Sequence, residues 1–100
     1  MPVESGIENA GEEKVWFIYM IRCNSGQLYT GISTDVARRF SEHEAGKGAK
    51  FLRGKGPLLL MLQQPVGSHS EALKREAQVK KLSKMAKEQW IDQHAKSLTL

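Results

Sequence analysis

Residues 15–33 read VWFIYMIRCNSGQLYTGIS, two runs of strand-forming residues joined by a short turn, and this stretch restricts the fold most tightly. Val15 to Arg22 is almost continuously apolar, aromatic or β-branched, which is the composition of a strand covered on both faces. Asn24-Ser25-Gly26 is a turn signal, and three-residue hairpin loops place glycine at their last, left-handed position. With that loop Cys23 faces Gln27 and Ile21 faces Tyr29. Tyr19 and Tyr29 then share one face as diagonal neighbours, about 7–8 Å apart. A two-residue loop would slip the register by one and send them to opposite faces.

Downstream, Thr34-Asp35 offers a helix N-cap, Val36, Ala37 and Phe40 keep helical spacing, and Gly46 and Gly48 stop the helix. Residues 47–57 (KGAKFLRGKGP) form a basic, glycine-rich connection. A third buried strand begins at Leu58-Leu59-Leu60-Met61-Leu62 and is expected to reach Gln64, with Pro65 and Gly67 breaking it. Ser68 or Ser70 caps the next helix, and a last helix over about residues 84–96 turns Met85, Ala86, Trp90 and Ile91 inward. The expected fold is α/β of the α+β type, in the order ββαβαα. A flexible N-terminal tail is expected over residues 1–13 and a single domain over residues 14–96.

The chain of 100 residues is long enough for one modest core. No apolar run approaches the ~20 residues of a membrane span, and the acidic N-terminus lacks a signal-peptide layout. A cytoplasmic location and no membrane partner are therefore expected. The lone Cys23 makes no internal disulfide, which fits a reducing compartment. The formal net charge of +4 is compatible with a phosphate-rich partner.

Three further residues bear on the tyrosines. Arg39 and His43 are four apart, so they share a helical face that is either solvated or directed at the sheet. Glu76 has Ala72, Leu73 and Val79 at positions i−4, i−3 and i+3, so its carboxylate sits in an apolar stripe. Such a group needs a partner, which is a metal cation, an arginine or another structural ion pair.

Taken together, FIY (17–19), YTG (29–31), Arg39, His43 and Glu76 resemble the GIY-YIG nuclease domain over about residues 14–90. Size and the segment GKGPLLLMLQQPVGSHSEALKREAQVKKL are most similar to the small stand-alone bacterial members of the YhbQ type. The resemblance implies a three-stranded antiparallel sheet flanked by helices. It also implies hydrolysis of phosphodiester bonds with one divalent cation, Mg²⁺ or Mn²⁺. Phe17 and Thr30 depart from the family's tripeptides. Ile32 and Ser33 stand where many members carry a lysine, and no asparagine follows Asn24.

These readings converge on an endonuclease acting on DNA in repair or recombination. The alternative is a nucleic-acid-binding module with little or no catalysis. Glu76 is the candidate metal ligand, because one carboxylate with waters and phosphate oxygens suits a hydrated Mg²⁺. Tyr29 is the first candidate to orient or deprotonate water, supported by Tyr19. A phenol titrates near 10, so such a base needs cations beside it. Arg39 supplies one and is suited to hold phosphate bidentately. His43 either relays a proton from tyrosine or contacts phosphate. Lys47, Lys50, Arg53 and Lys55, interleaved with Phe51, are the candidate nucleic-acid-binding residues. No separate targeting domain is visible, so specificity is expected from substrate shape or a second protein.

Overall fold

The computed structural model describes residues 14–99, and the tail expected over residues 1–13 lies outside them. Strand β1 (Trp16–Arg22) leads through Asn24-Ser25-Gly26 into β2 (Leu28–Ser33). Helix α1 (Val36–Glu44), a short 3₁₀ turn at Lys50–Leu52, strand β3 (Leu59–Gly67), and helices α2 (His69–Lys80) and α3 (Lys84–Thr99) follow. The order ββαβαα and the antiparallel sheet match the sequence-based expectation.

The hairpin takes the three-residue loop. Gly26 has φ of 89°, the left-handed conformation that glycine adopts without a Cβ penalty. The Cys23 amide donates to the Gln27 carbonyl at 3.0 Å, and the Gly26 amide donates to the Cys23 carbonyl at 2.9 Å. Ile21 pairs with Tyr29 and Tyr19 with Gly31, the register that puts both tyrosines on one face.

Sheet order is β2-β1-β3, so the apolar β1 is central and both its neighbours are edges. Ile18, Tyr19, Met20 and Ile21 are accordingly at most 1% exposed. Alternation sorts them onto two faces. Tyr19 and Ile21 pack with Val36 of α1 and with Leu52 and Leu58 of the connection. Ile18 and Met20 pack with Leu62, Val79 of α2 and Ile91 of α3. Burying a side chain of this size contributes about 1.5–3 kcal/mol each.

Three sequence-based expectations need correction. β3 does not break at Pro65; it continues to Gly67, with Pro65 opposite Phe17. An edge strand tolerates this, since a residue without an N–H costs nothing on its unpaired side. Met85 is 71% exposed, not inward. It lies six residues before Ile91, about 120° round the helix from the residue that α3 buries. Leu73 is likewise 47% exposed, because α2 docks along the line of Ala72 and Val79.

The starts of α1 and α2 obey their caps. Asp35 accepts from the Arg38 amide at 3.1 Å, and Ser68 and Glu71 form a reciprocal capping box at 3.1 and 2.9 Å. At the other end of the sheet Arg22 makes two 2.7 Å bonds to Glu88, which ties α3 to the hairpin.

Candidate functional site

Tyr19, Tyr29 and His43 form one aromatic triangle on the face of the sheet covered by α1. Ring centroids are 6.4 Å apart for the two tyrosines, 6.0 Å for Tyr19 and His43, and 5.5 Å for Tyr29 and His43. Two local features make this possible. The short connection after β2 starts α1 at once, so its buried line of Val36 and His43 lies on the sheet. Gly31, directly opposite Tyr19, leaves room for the phenol to cross. A Cβ there would stand 2.5 Å from Tyr19 Oη and 2.6 Å from Cζ.

The orientation of His43 follows from its second nitrogen. The Ala49 amide donates to Nδ1 at 3.0 Å, and Nε2 is 2.9 Å from Tyr19 Oη. Nδ1 is therefore the unprotonated nitrogen, and the neutral ring carries its hydrogen on Nε2. Tyr19 Oη accepts that hydrogen, so its own O–H is free to donate elsewhere. Gly48 lets the chain approach the ring, since a Cβ there would lie 2.8 Å from Cε1 of His43. Burial, and then the Arg39 guanidinium, push the His43 pKa below its ordinary 6.5.

Tyr19 shifts the other way. Desolvation, followed by the neighbouring Tyr29, pushes its pKa up to about 12, although Arg39 beside it opposes the rise. Tyr19 thus keeps its proton near neutrality and serves as a donor. Tyr29 is half-buried, whereas Tyr19 is 1% exposed.

Arg39 is half-buried on α1 and donates to Glu42 at 3.0 Å, one turn on. Hydrogen bonding to Glu42 first, then Tyr19, holds its pKa above the ordinary value. Glu76 comes from α2, which packs against β2 as well as β1 and β3. Its side chain is 20% exposed, and its charge is close enough to raise Tyr19 further. Its ion-pair partner is Lys80 at 3.3 Å, on the next turn. No group of three or more His, Cys, Asp or Glu side chains gathers among the described residues. A cation held here would rest on one carboxylate, water and phosphate oxygens, and would displace Lys80. That donor set fits Mg²⁺, which keeps most of its water.

Tyr19, Tyr29 and His43 are thus in contact and Arg39 stands beside Tyr19, whereas Glu76 comes from α2, on the other face of the sheet, and is paired with Lys80. The predicted basic loop is less uniform. Lys47, Lys50 and Arg53 are exposed. Lys55 instead caps the Phe51 ring, with Nζ 3.6 Å from its centroid, and Phe51 stacks on Tyr29 at 6.1 Å. Asn24 holds that loop to the hairpin, accepting none of its groups but donating twice, to the carbonyls of Lys55 at 2.9 Å and Gly56 at 3.0 Å.

Gly48, the Ala49 amide and Asn24 escaped the sequence reading. The two glycines after α1 read only as a helix stop, and Asn24 only as a turn residue. Their roles depend on where the 47–57 loop returns, which local pattern does not encode.

The family model of the GIY-YIG catalytic domain matches residues 15–96. A UPF0213 protein of Cronobacter sakazakii is 59% identical over 76 residues, covering 76% of this chain and 80% of that one. A UPF0213 protein of Yersinia enterocolitica is 52% identical over 86 residues, covering 86% and 89%. Among solved structures, the protein EF2693 from E. faecalis aligns with a TM-score of 0.58 and 35% identity, covering 81% and 86%. The UPF0213 protein BH0048 from Bacillus halodurans aligns with a TM-score of 0.51 and 42% identity, covering 78% and 83%. No helix among the described residues is long and apolar enough to cross a membrane.

Proposed function

The chain belongs to the GIY-YIG catalytic domain family, and on that footing we propose that it is a divalent-metal-dependent endonuclease that hydrolyses phosphodiester bonds in DNA, in repair or recombination. The observation that carries this reading is the 2.9 Å bond from His43 to Tyr19, with Tyr29 beside both rings and Arg39 and Glu76 around them.

In this mechanism Arg39 holds the scissile phosphate, offering its guanidinium N–H groups to the non-bridging oxygens. Tyr19, its Oη fixed by His43 Nε2–H, keeps its proton and donates a hydrogen bond to a phosphate oxygen. Tyr29, in its phenolate form, orients the attacking water and takes its proton as it attacks phosphorus, and the departing 3′ oxygen picks up a proton from solvent. His43 stays neutral and acts through Tyr19. Glu76 would hold Mg²⁺ or Mn²⁺, which supplies charge neutralisation at the departing 3′ oxygen. Water is the nucleophile, so no covalent intermediate forms on the protein.

A second reading is a nucleic-acid-binding module with little or no cleavage. The Glu76–Lys80 ion pair favours it, because a cation must compete with an internal ammonium for the carboxylate.

A cleavage panel decides between them. Purified protein is incubated with single-stranded, branched and duplex DNA in Mg²⁺ and in Mn²⁺. Nicking that disappears in Glu76→Ala and Arg39→Ala supports the nuclease. Salt-sensitive binding with no product in any metal supports the binding module.

A further inference from the structure

Two grooves on the β2 side of the molecule share walls. One, of about 260 Å³, is lined by Leu28, Tyr29, Thr30, Phe51, Lys80 and Lys87. The other, of about 210 Å³, adds Gln27 and Lys84 to Leu28, Phe51 and Lys87. The combined trough begins at the Tyr29 ring and at Lys80, the partner of Glu76, and runs outward along the start of β2. It is therefore continuous with the candidate site.

Its chemistry is specific. Phe51 is 41% exposed although large and apolar, and it is braced from the protein side by its stack on Tyr29. Lys55 Nζ, 3.6 Å above the ring, sits at the distance a stacked aromatic plane would take. Lys84 and Lys87 come from α3, whose first turns are fastened to the hairpin by the Arg22–Glu88 pair. Thr30, at the inner wall, has a buried hydroxyl with no hydrogen-bond partner among the described residues. An aromatic plate, ammonium groups along one side and an open end at the phenols match a nucleotide: a flat base, flanking phosphates and a backbone leading to the scissile bond.

We propose that this trough is a subsite for one unpaired nucleotide of the DNA strand that reaches Tyr29, its base stacked on Phe51 and its flanking phosphates paired with Lys84 and Lys87. The base displaces Lys55 from the ring face, and the freed ammonium moves to phosphate. A base within a duplex cannot enter, because both its faces are already stacked. The subsite rests on the nuclease reading for the direction of the strand but makes its own demand on Phe51.

Binding of labelled oligodeoxynucleotides to the full chain, without divalent cation so that nothing is cleaved, tests it. Phe51→Leu is expected to weaken binding of a single strand about 5- to 150-fold. Phe51→Trp should retain it. A probe of the same length lacking bases, and a fully paired duplex, should be indifferent to Phe51→Leu. The Lys84→Gln/Lys87→Gln double variant should lower the salt slope on the single strand by about 1.4. Thermal melts establish that the variants fold. Unchanged single-strand affinity in folded Phe51→Leu, or an equal loss on the base-free probe, overturns the subsite. If Phe51 behaves as expected while no metal gives nicking, the subsite stands and the nuclease reading falls.

Discussion

His43 Nε2 and Tyr19 Oη meet at 2.9 Å in the interior of the protein, and the Ala49 amide behind the ring dictates which of the two gives the hydrogen. A proton added to His43 would have to land on Nδ1 and break the bond to Ala49. The pair is thus built for a neutral imidazole.

Acid should expose that dependence. In the unfolded chain His43 titrates near 6.5, whereas burial holds the folded ring neutral to lower pH. Between the two values the unfolded state binds the extra proton, so stability falls as pH drops below about 6.5 and levels off under the folded pKa. Chemical melts from pH 7.5 to 5 should show this loss, and His43→Gln should flatten it. Glu71 and Glu88, both held below 4.5 by their hydrogen bonds, lose their contribution in a separate, more acidic window.

Gly31→Ala should destabilise the fold by about 1–3 kcal/mol, because the new methyl meets Tyr19 at 2.5–2.6 Å between two paired strands. Nicking should fall further than stability, since the phenol must move to make room. A double-mutant cycle with Tyr19→Ala is expected to show strong non-additivity. Additive effects would mean the crossing does not constrain the tyrosine.

The two phenols should separate kinetically. Tyr29→Phe removes the proposed base and is expected to cost about 10²–10⁴-fold in rate. Tyr19→Phe removes a donor, with an expected loss of about 10²–10³-fold. With its pKa near 12, Tyr19 stays protonated through the neutral range, so its removal should leave the shape of the pH–rate profile unchanged. Loss in Tyr19→Phe of the rising limb that a base produces would exchange the two roles.

Glu88→Gln should cost about 1 kcal/mol, because the bidentate pair with Arg22 is well formed but its side chains are 33% and 25% exposed. For a domain of this size that is a fall of roughly 4–8 °C in Tm. The difference should shrink in high salt.

Much of this arrangement was legible in the residues. The turn Asn24-Ser25-Gly26 fixed the hairpin register, and with it the shared face of the tyrosines. Spacing put Arg39 and His43 on one side of α1, and Glu76 between Ala72 and Val79 on α2. What local pattern could not yield was the return path of the 47–57 loop, which brings Ala49 to His43 and Phe51 to Tyr29. Pro65 misled because its effect depends on whether a strand is central or an edge, a property of the assembled sheet. Met85 and Leu73 misled because apolar residues fill more than one face of short helices, and only docking selects the buried one.

Four of the five site residues lie between Tyr19 and His43, within one hairpin and the helix that follows it, whereas Glu76 arrives from an element packed on the opposite side of the sheet. The charged groups therefore come from two parts of the chain that only the assembled sheet brings together. A chain in which α2 has not yet settled would present its phenols and guanidinium with no carboxylate opposite them. On the proposed mechanism such a chain would hold a phosphate with no carboxylate to place a cation beside it, so cutting would demand the whole closed domain.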